Sequence, residues 1–149
     1  MPDATTEKRI LVVDDDVGIL RLVRETLTTF LVCTVDTTPS PEYAFELVLK
    51  KPFDLLLFDF QMPMVDGALL YNLIGKVYAL ALQPPRRLPP LLLMSGHGEQ
   101  ARAQALLHEP GVRGLLPKPF TIERLLGRVE GALPAHLSGG GFARRHELR

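Results

Sequence analysis

Five short, largely apolar runs punctuate this chain, at 10–13, 31–35, 55–58, 91–94 and 112–116. Each is so poor in polar alternation that it predicts a strand covered on both faces, as strands of a parallel sheet are. The segments between them carry apolar residues at helical spacing. A first helix is expected over about 18–29, where Ile19, Leu20, Leu22, Val23 and Leu27 make a broad inward stripe. Ser40 and Pro41 suit the cap and first position of a second, with Tyr43, Ala44, Leu47 and Val48 turned inward. A third is expected from about 66 to 82, and a fourth over 99–108, stopped by Pro110-Gly111. A fifth, capped by Thr121, should end near Leu133. The stretch 83–90 holds four prolines and the pair Arg86-Arg87, which predicts a stiff basic connector. Strand and helix alternating in this way predict an α/β fold, a doubly wound five-stranded parallel sheet.

Size and composition narrow the organisation. A chain of 149 residues that is 46% hydrophobic can bury one good core and is too short for two ordinary domains. The expected division is a flexible N-terminus over 1–8, a domain over 9–133, and a flexible tail or linker over 134–149. That last stretch holds Ser138-Gly139-Gly140-Gly141 and the basic Arg144-Arg145-His146. Lysine plus arginine and aspartate plus glutamate both number 17, so the whole chain offers no electrostatic footprint for nucleic acid, and none is expected as a partner. Cys33 is the single cysteine, which excludes an internal disulfide and a cysteine-based zinc site. No run approaches about 18 apolar residues and the first residues lack the core of a secretory signal, so a cytoplasmic location without membrane contact is expected.

The chemistry sits where the strands end. Asp14, Asp15 and Asp16 follow the first, Asp59 the third, Ser95 the fourth and Lys118 the fifth. In a doubly wound sheet that edge is where ligands bind. Neighbouring carboxylates repel by roughly 1 to 4 kcal/mol per pair, so a counter-charge is required. Lys118 and a divalent cation are the two candidates, and crowded oxygen donors suit Mg2+. Gly96-His97-Gly98 matches no nucleotide-binding loop and reads as a sharp turn. Asp16 reads as a solvated helix-start residue and Asp66 as a cap or turn residue.

Five separated stretches carry a resemblance. They are Leu11-Val12-Val13-Asp14-Asp15-Asp16, Asp54-Leu55-Leu56-Leu57-Phe58-Asp59-Phe60-Gln61-Met62-Pro63, Asp66-Gly67, Leu92-Leu93-Met94-Ser95-Gly96 and Lys118-Pro119-Phe120. Over roughly residues 9–133 the chain resembles the receiver domains of two-component response regulators. The resemblance implies a flavodoxin-like sheet of order 2-1-3-4-5 and phosphorylation of Asp59 by a sensor histidine kinase or phosphotransfer protein. It further implies Mg2+ or Mn2+ held by Asp14, Asp15, Asp59 and the backbone carbonyl of Gln61, with Lys118 and Ser95 assisting at the phosphoryl group. Gln61 and His97 occupy positions that tune phosphoryl lifetime in relatives. Leu115 stands where relatives usually carry an aromatic switch residue. Self-catalysed phosphotransfer and autodephosphorylation are the only catalysis implied. A downstream protein would bind the face built from the fourth helix, fifth strand and fifth helix, and a homodimer is an open possibility. Leu115 and the long connector also suit a receiver-shaped interaction module that works without phosphate. A hydrolase with an aspartyl intermediate is disfavoured, because its nucleophile would belong to the first strand.

Overall fold

The computed structural model describes residues 7–80, 86–133 and 141–145. Five strands, β1 (Lys8–Val13), β2 (Cys33–Thr38), β3 (Leu55–Asp59), β4 (Leu91–Ser95) and β5 (Val112–Pro117), form one parallel sheet of order β2-β1-β3-β4-β5. The helices are α1 (Val17–Phe30), α2 (Pro41–Lys50), α3 (Gly67–Leu80), α4 (Gln100–Ala105) and α5 (Ile122–Ala132). This is the doubly wound α/β architecture that the periodicity predicts.

Strand side chains alternate between two half-cores, because successive residues of a strand point to opposite faces. Ile10, Val12, Leu55, Leu57, Leu92 and Met94 meet α1 and α5 through Leu20, Val23, Leu27, Leu125 and Val129. Leu11, Val13, Leu56, Phe58, Leu91 and Leu93 meet α2, α3 and α4 through Leu47, Val48, Leu70, Ile74 and Ala103. All residues of β3 and β4 are therefore buried. The central strands are rigid platforms, and whatever follows them is delivered to a fixed place.

Helix starts follow local chemistry. Asp16 Oδ1 accepts from the Gly18 and Ile19 N–H groups, Ser40 Oγ from Tyr43 N–H, and Thr121 Oγ1 from Arg124 N–H. Two elements differ from their sequence reading. β2 begins at Cys33 instead of 31 and runs on to Thr38, because Leu31 closes α1 through its N–H to Leu27 O at 2.8 Å. As the edge strand, β2 tolerates half-buried Asp36 and Thr37, which apolar content alone does not mark as strand. α4 is shorter than expected and gives way to a 3-10 turn, Leu106–His108.

Part of the expected flexible tail is held against the domain. Ala143 O accepts from Val32 N–H at 2.8 Å, and Arg144 pairs antiparallel with Leu31. The Arg144 guanidinium grips Glu130 of α5 at 2.7 and 2.5 Å, Arg145 Nε donates to Thr28 O at 2.6 Å, and Phe142 packs on the α1/α5 half-core. One aromatic ring and two guanidinium groups supply what the glycine-rich composition hides. The remainder of the expected tail, the first six residues and part of the connector lie outside the described residues. The clamp makes a prediction. Glu130→Ala should release the segment and speed hydrogen exchange at the Val32 amide about fivefold, as expected for losing a half-exposed ion pair. Unchanged protection of Val32 would show that Phe142 and the backbone hold the segment without the ion pair.

Among the described residues, no helix is long and apolar enough to cross a membrane.

Candidate functional site

β1 carries the chain to Asp14, whose N–H donates to Thr38 O at 3.3 Å and whose Oδ1 accepts from Asp16 N–H at 2.9 Å. That turn folds the Asp14 carboxylate back over the sheet edge, fully buried, while Asp15 stays exposed beside it. β3 delivers Asp59 as its last residue, buried opposite Met94 of β4. β5 runs into Lys118, whose N–H donates to Ser95 O at 2.7 Å and whose peptide bond to Pro119 is cis.

The three strand ends converge. Lys118 Nζ lies 2.7 Å from Asp14 Oδ2 and 3.2 Å from Asp59 Oδ1. Carboxylate oxygens of Asp14, Asp15 and Asp59 all lie within 4.8 Å of one another. One ammonium among three carboxylates leaves the cluster short of positive charge. The result shows in the titration of Asp59, whose carboxyl is pushed up to about 7, first by burial and then by the Asp14 charge, with Lys118 pulling the other way. Burial likewise raises Asp14, against the bonds from Lys118 and Asp16 N–H. Burial pulls Lys118 down, but its bonds to and charge attraction from Asp14 and Asp59 together outweigh that and hold it above its usual range. Three oxygen donors of this kind, one of them open to solvent, fit a hard divalent cation that keeps part of its water.

The loop after β3 is fixed from below. Gly67 N–H donates to Phe60 O at 2.9 Å, and a Cβ at Gly67 would collide with Asp59 O, so only glycine lets α3 start this close to the end of β3. Asp66 is the cap the sequence suggests, its Oδ1 accepting from Leu69 N–H at 2.7 Å. On β4, Ser95 is fully buried, and its Oγ has no hydrogen-bond partner among the described residues. Gln61 and His97 are exposed on the loops after β3 and β4, and Leu115 is buried in the half-core that contains Ala103 of α4.

Two contacts were not anticipated. Gly96 N–H donates to Glu99 Oε1 at 2.7 Å, and the Arg102 guanidinium stands 5.2 Å from the centroid of the Phe60 ring. The first had a signal, since glutamate three residues after a turn position is half of a capping box. Nothing in the sequence marks the second.

The 2-1-3-4-5 order, with chemistry gathered at the carboxyl edge of the sheet, puts the protein in the CheY-like class of α/β folds. The chain belongs to the response regulator receiver domain family, whose profile matches residues 10–130. It is 27% identical over 127 residues to a Rhizobium etli protein described as "Probable chemotaxis protein CheY", covering 85% of this chain and 93% of that one. It is 30% identical over 132 residues to the transcriptional regulatory protein ResD of Bacillus subtilis, covering 88% of this chain and half of ResD. Among solved structures, the chemotaxis response regulator CheY4 of Vibrio cholerae is 26% identical, with a TM-score of 0.64 over 86% of this chain and 100% of its own. A receiver domain from Clostridium thermocellum, at 23% identity and a TM-score of 0.69 over 84% of this chain and 93% of its own, shares the fold. Domains of this family are the receivers of two-component signalling.

Proposed function

We propose that the protein is a phosphorylation-controlled switch, in which Asp59 accepts a phosphoryl group from a sensor histidine kinase or phosphotransfer protein. The observation that carries this reading is the buried Asp59 carboxyl, sharing one lysine with Asp14 and facing Asp15 across less than 4.8 Å. In the transfer, an Asp59 carboxylate oxygen attacks phosphorus, an acyl phosphate forms, and the nitrogen–phosphorus bond to the donor histidine breaks, its electron pair staying on the imidazole. A carboxylate is a weak nucleophile, so catalysis consists of positioning and of neutralising charge on the equatorial oxygens. Lys118 supplies one permanent positive charge for that purpose. Mg2+ or Mn2+, held by Asp14, Asp15, Asp59 and the Gln61 carbonyl, would supply the rest and favour the ionised nucleophile. Ser95, with an unfilled hydroxyl, would donate to the new phosphoryl group. Gln61 and His97, both exposed beside the loops, would set water access and hence phosphoryl lifetime. The phosphorylated form would change its grip on a downstream protein at the α4–β5–α5 face, in the cytoplasm, with no other substrate turned over.

A second reading, a phosphate-independent interaction module, draws on Leu115, an aliphatic residue at the usual aromatic switch position. The intact acidic cluster and lysine favour the first.

Intact-protein mass spectrometry after incubation with acetyl phosphate tests it, with and without Mg2+, on wild type and Asp59→Asn. One phosphoryl group requiring both Mg2+ and Asp59 is expected. Addition that persists in Asp59→Asn moves the acceptor elsewhere. A folded wild type that takes up nothing and binds no beryllofluoride is the interaction module instead.

A further inference from the structure

Phosphoryl transfer adds three acceptor oxygens at Asp59, and β4 is the strand that must meet them. Met94 pairs with Asp59 in register, so Ser95 closes β4 one residue beyond it and Gly96 is the first residue to leave the sheet. Their two donors stand in unequal states. The Ser95 hydroxyl is buried and has no partner among the described residues, whereas Gly96 N–H is already taken by the Glu99 carboxylate at 2.7 Å. That carboxylate lies flat against the glycine, its atoms 3.5 to 3.9 Å from where a Cβ would stand, and Glu99 N–H returns a bond to Gly96 O at 3.2 Å. An internal anion therefore occupies the backbone donor that directly follows Ser95.

We propose that Glu99 is a positioning residue that latches the β4–α4 loop in its unphosphorylated arrangement, its carboxylate holding the Gly96 N–H that the phosphoryl group must win. The inference rests on the receiver reading above. The exchange is one anion for another: the Gly96 N–H···Oε1 bond breaks and an N–H···O–P bond forms, with no covalent change at Glu99. Because Glu99 precedes the first turn of α4, its release frees the start of that helix. Arg102, one turn further on, stays stacked on Phe60 and ties α4 to the residue after the acceptor. Release at one end and attachment at the other make α4 pivot. With aliphatic Leu115 buried in the same half-core as Ala103, this route reaches the α4 face without an aromatic ring turning in β5.

The test uses the full chain in Mg2+ with beryllofluoride, an unreactive mimic of the phosphoryl group. Its affinity is measured for wild type, Glu99→Ala and Glu99→Asp, and the Gly96 amide is followed by NMR after glycine labelling with 15N. Aspartate keeps the charge but is one methylene too short to reach Gly96, so it separates the latch from plain repulsion between anions. The latch predicts that both variants bind beryllofluoride about fivefold tighter than wild type, the loss of one charge-assisted hydrogen bond. It also predicts that their Gly96 amide, free of ligand, is already displaced from the wild-type position. Tighter binding by Glu99→Ala alone, with Glu99→Asp equal to wild type, assigns the effect to charge and overturns the latch. Equal binding by all three overturns it as well. A folded wild type that binds no beryllofluoride overturns the receiver reading and the latch together.

Discussion

Replacing Asp59 by asparagine is expected to raise the melting temperature of the metal-free protein at pH 8 by about 5 to 10 °C. The cause is the strain stored in the acidic cluster. The Asp59 carboxyl is pushed up to about 7 from its ordinary 3.8 by burial and by Asp14, with Lys118 only partly compensating. Between those two values the folded protein holds a proton that the unfolded chain has released. Wild-type stability therefore falls as pH rises through that window and levels off above about 7. The accumulated penalty by pH 8 is about 2 to 4 kcal/mol, and asparagine, nearly isosteric and uncharged, escapes it.

Thermal melts in EDTA at pH 4.5 and pH 8 check this. The gap between variant and wild type should be large at pH 8 and about a quarter of that at pH 4.5, where little of the window has been crossed. Added Mg2+ should narrow the pH 8 gap by stabilising wild type, because an ion that binds only the folded state adds its binding energy to folding. Coincident melts at pH 8 would show that Lys118 fully offsets the crowding. The same strain makes the site receptive to a cation: carboxylates that are uncomfortable in the metal-free protein gain when positive charge joins them.

The parts of this design that the sequence exposes are those set by a single strand. β3 and β4 are legible because burial on both faces forces uninterrupted apolar runs, and Asp59 and Ser95 stand out as the polar residues that end them. β2 is less legible because an edge strand need not be apolar, and Leu31, apolar for its role in closing α1, mimics a strand start. What escapes altogether is pairing between distant segments. That Lys118 sits closer to Asp14 than to Asp59 depends on how β5 and β1 approach across two intervening strands. The docking of Arg144 depends on Glu130 and on a free N–H at Val32, none of which composition can announce.

Lys118→Ala should have the opposite sign and the larger functional cost. Among the described residues its ammonium is the only cation paired with Asp14 Oδ2, in a carboxylate with no solvent exposure, and it reaches Asp59 as well. Removing one partner of a buried pair leaves uncompensated charge, costing about 3 kcal/mol at pH 8. Phosphoryl uptake from acetyl phosphate in Mg2+ should slow about a hundredfold, since a preplaced charge facing the equatorial oxygens is lost. The two substitutions must also couple. With Asp59 already neutral, Lys118→Ala abandons one buried carboxylate instead of two, so denaturant unfolding of wild type, both single variants and the double variant should show a smaller lysine cost in the Asp59→Asn background. An equal cost in both backgrounds would mean that the lysine serves Asp14 alone and that its 3.2 Å approach to Asp59 contributes nothing until a phosphoryl group is present.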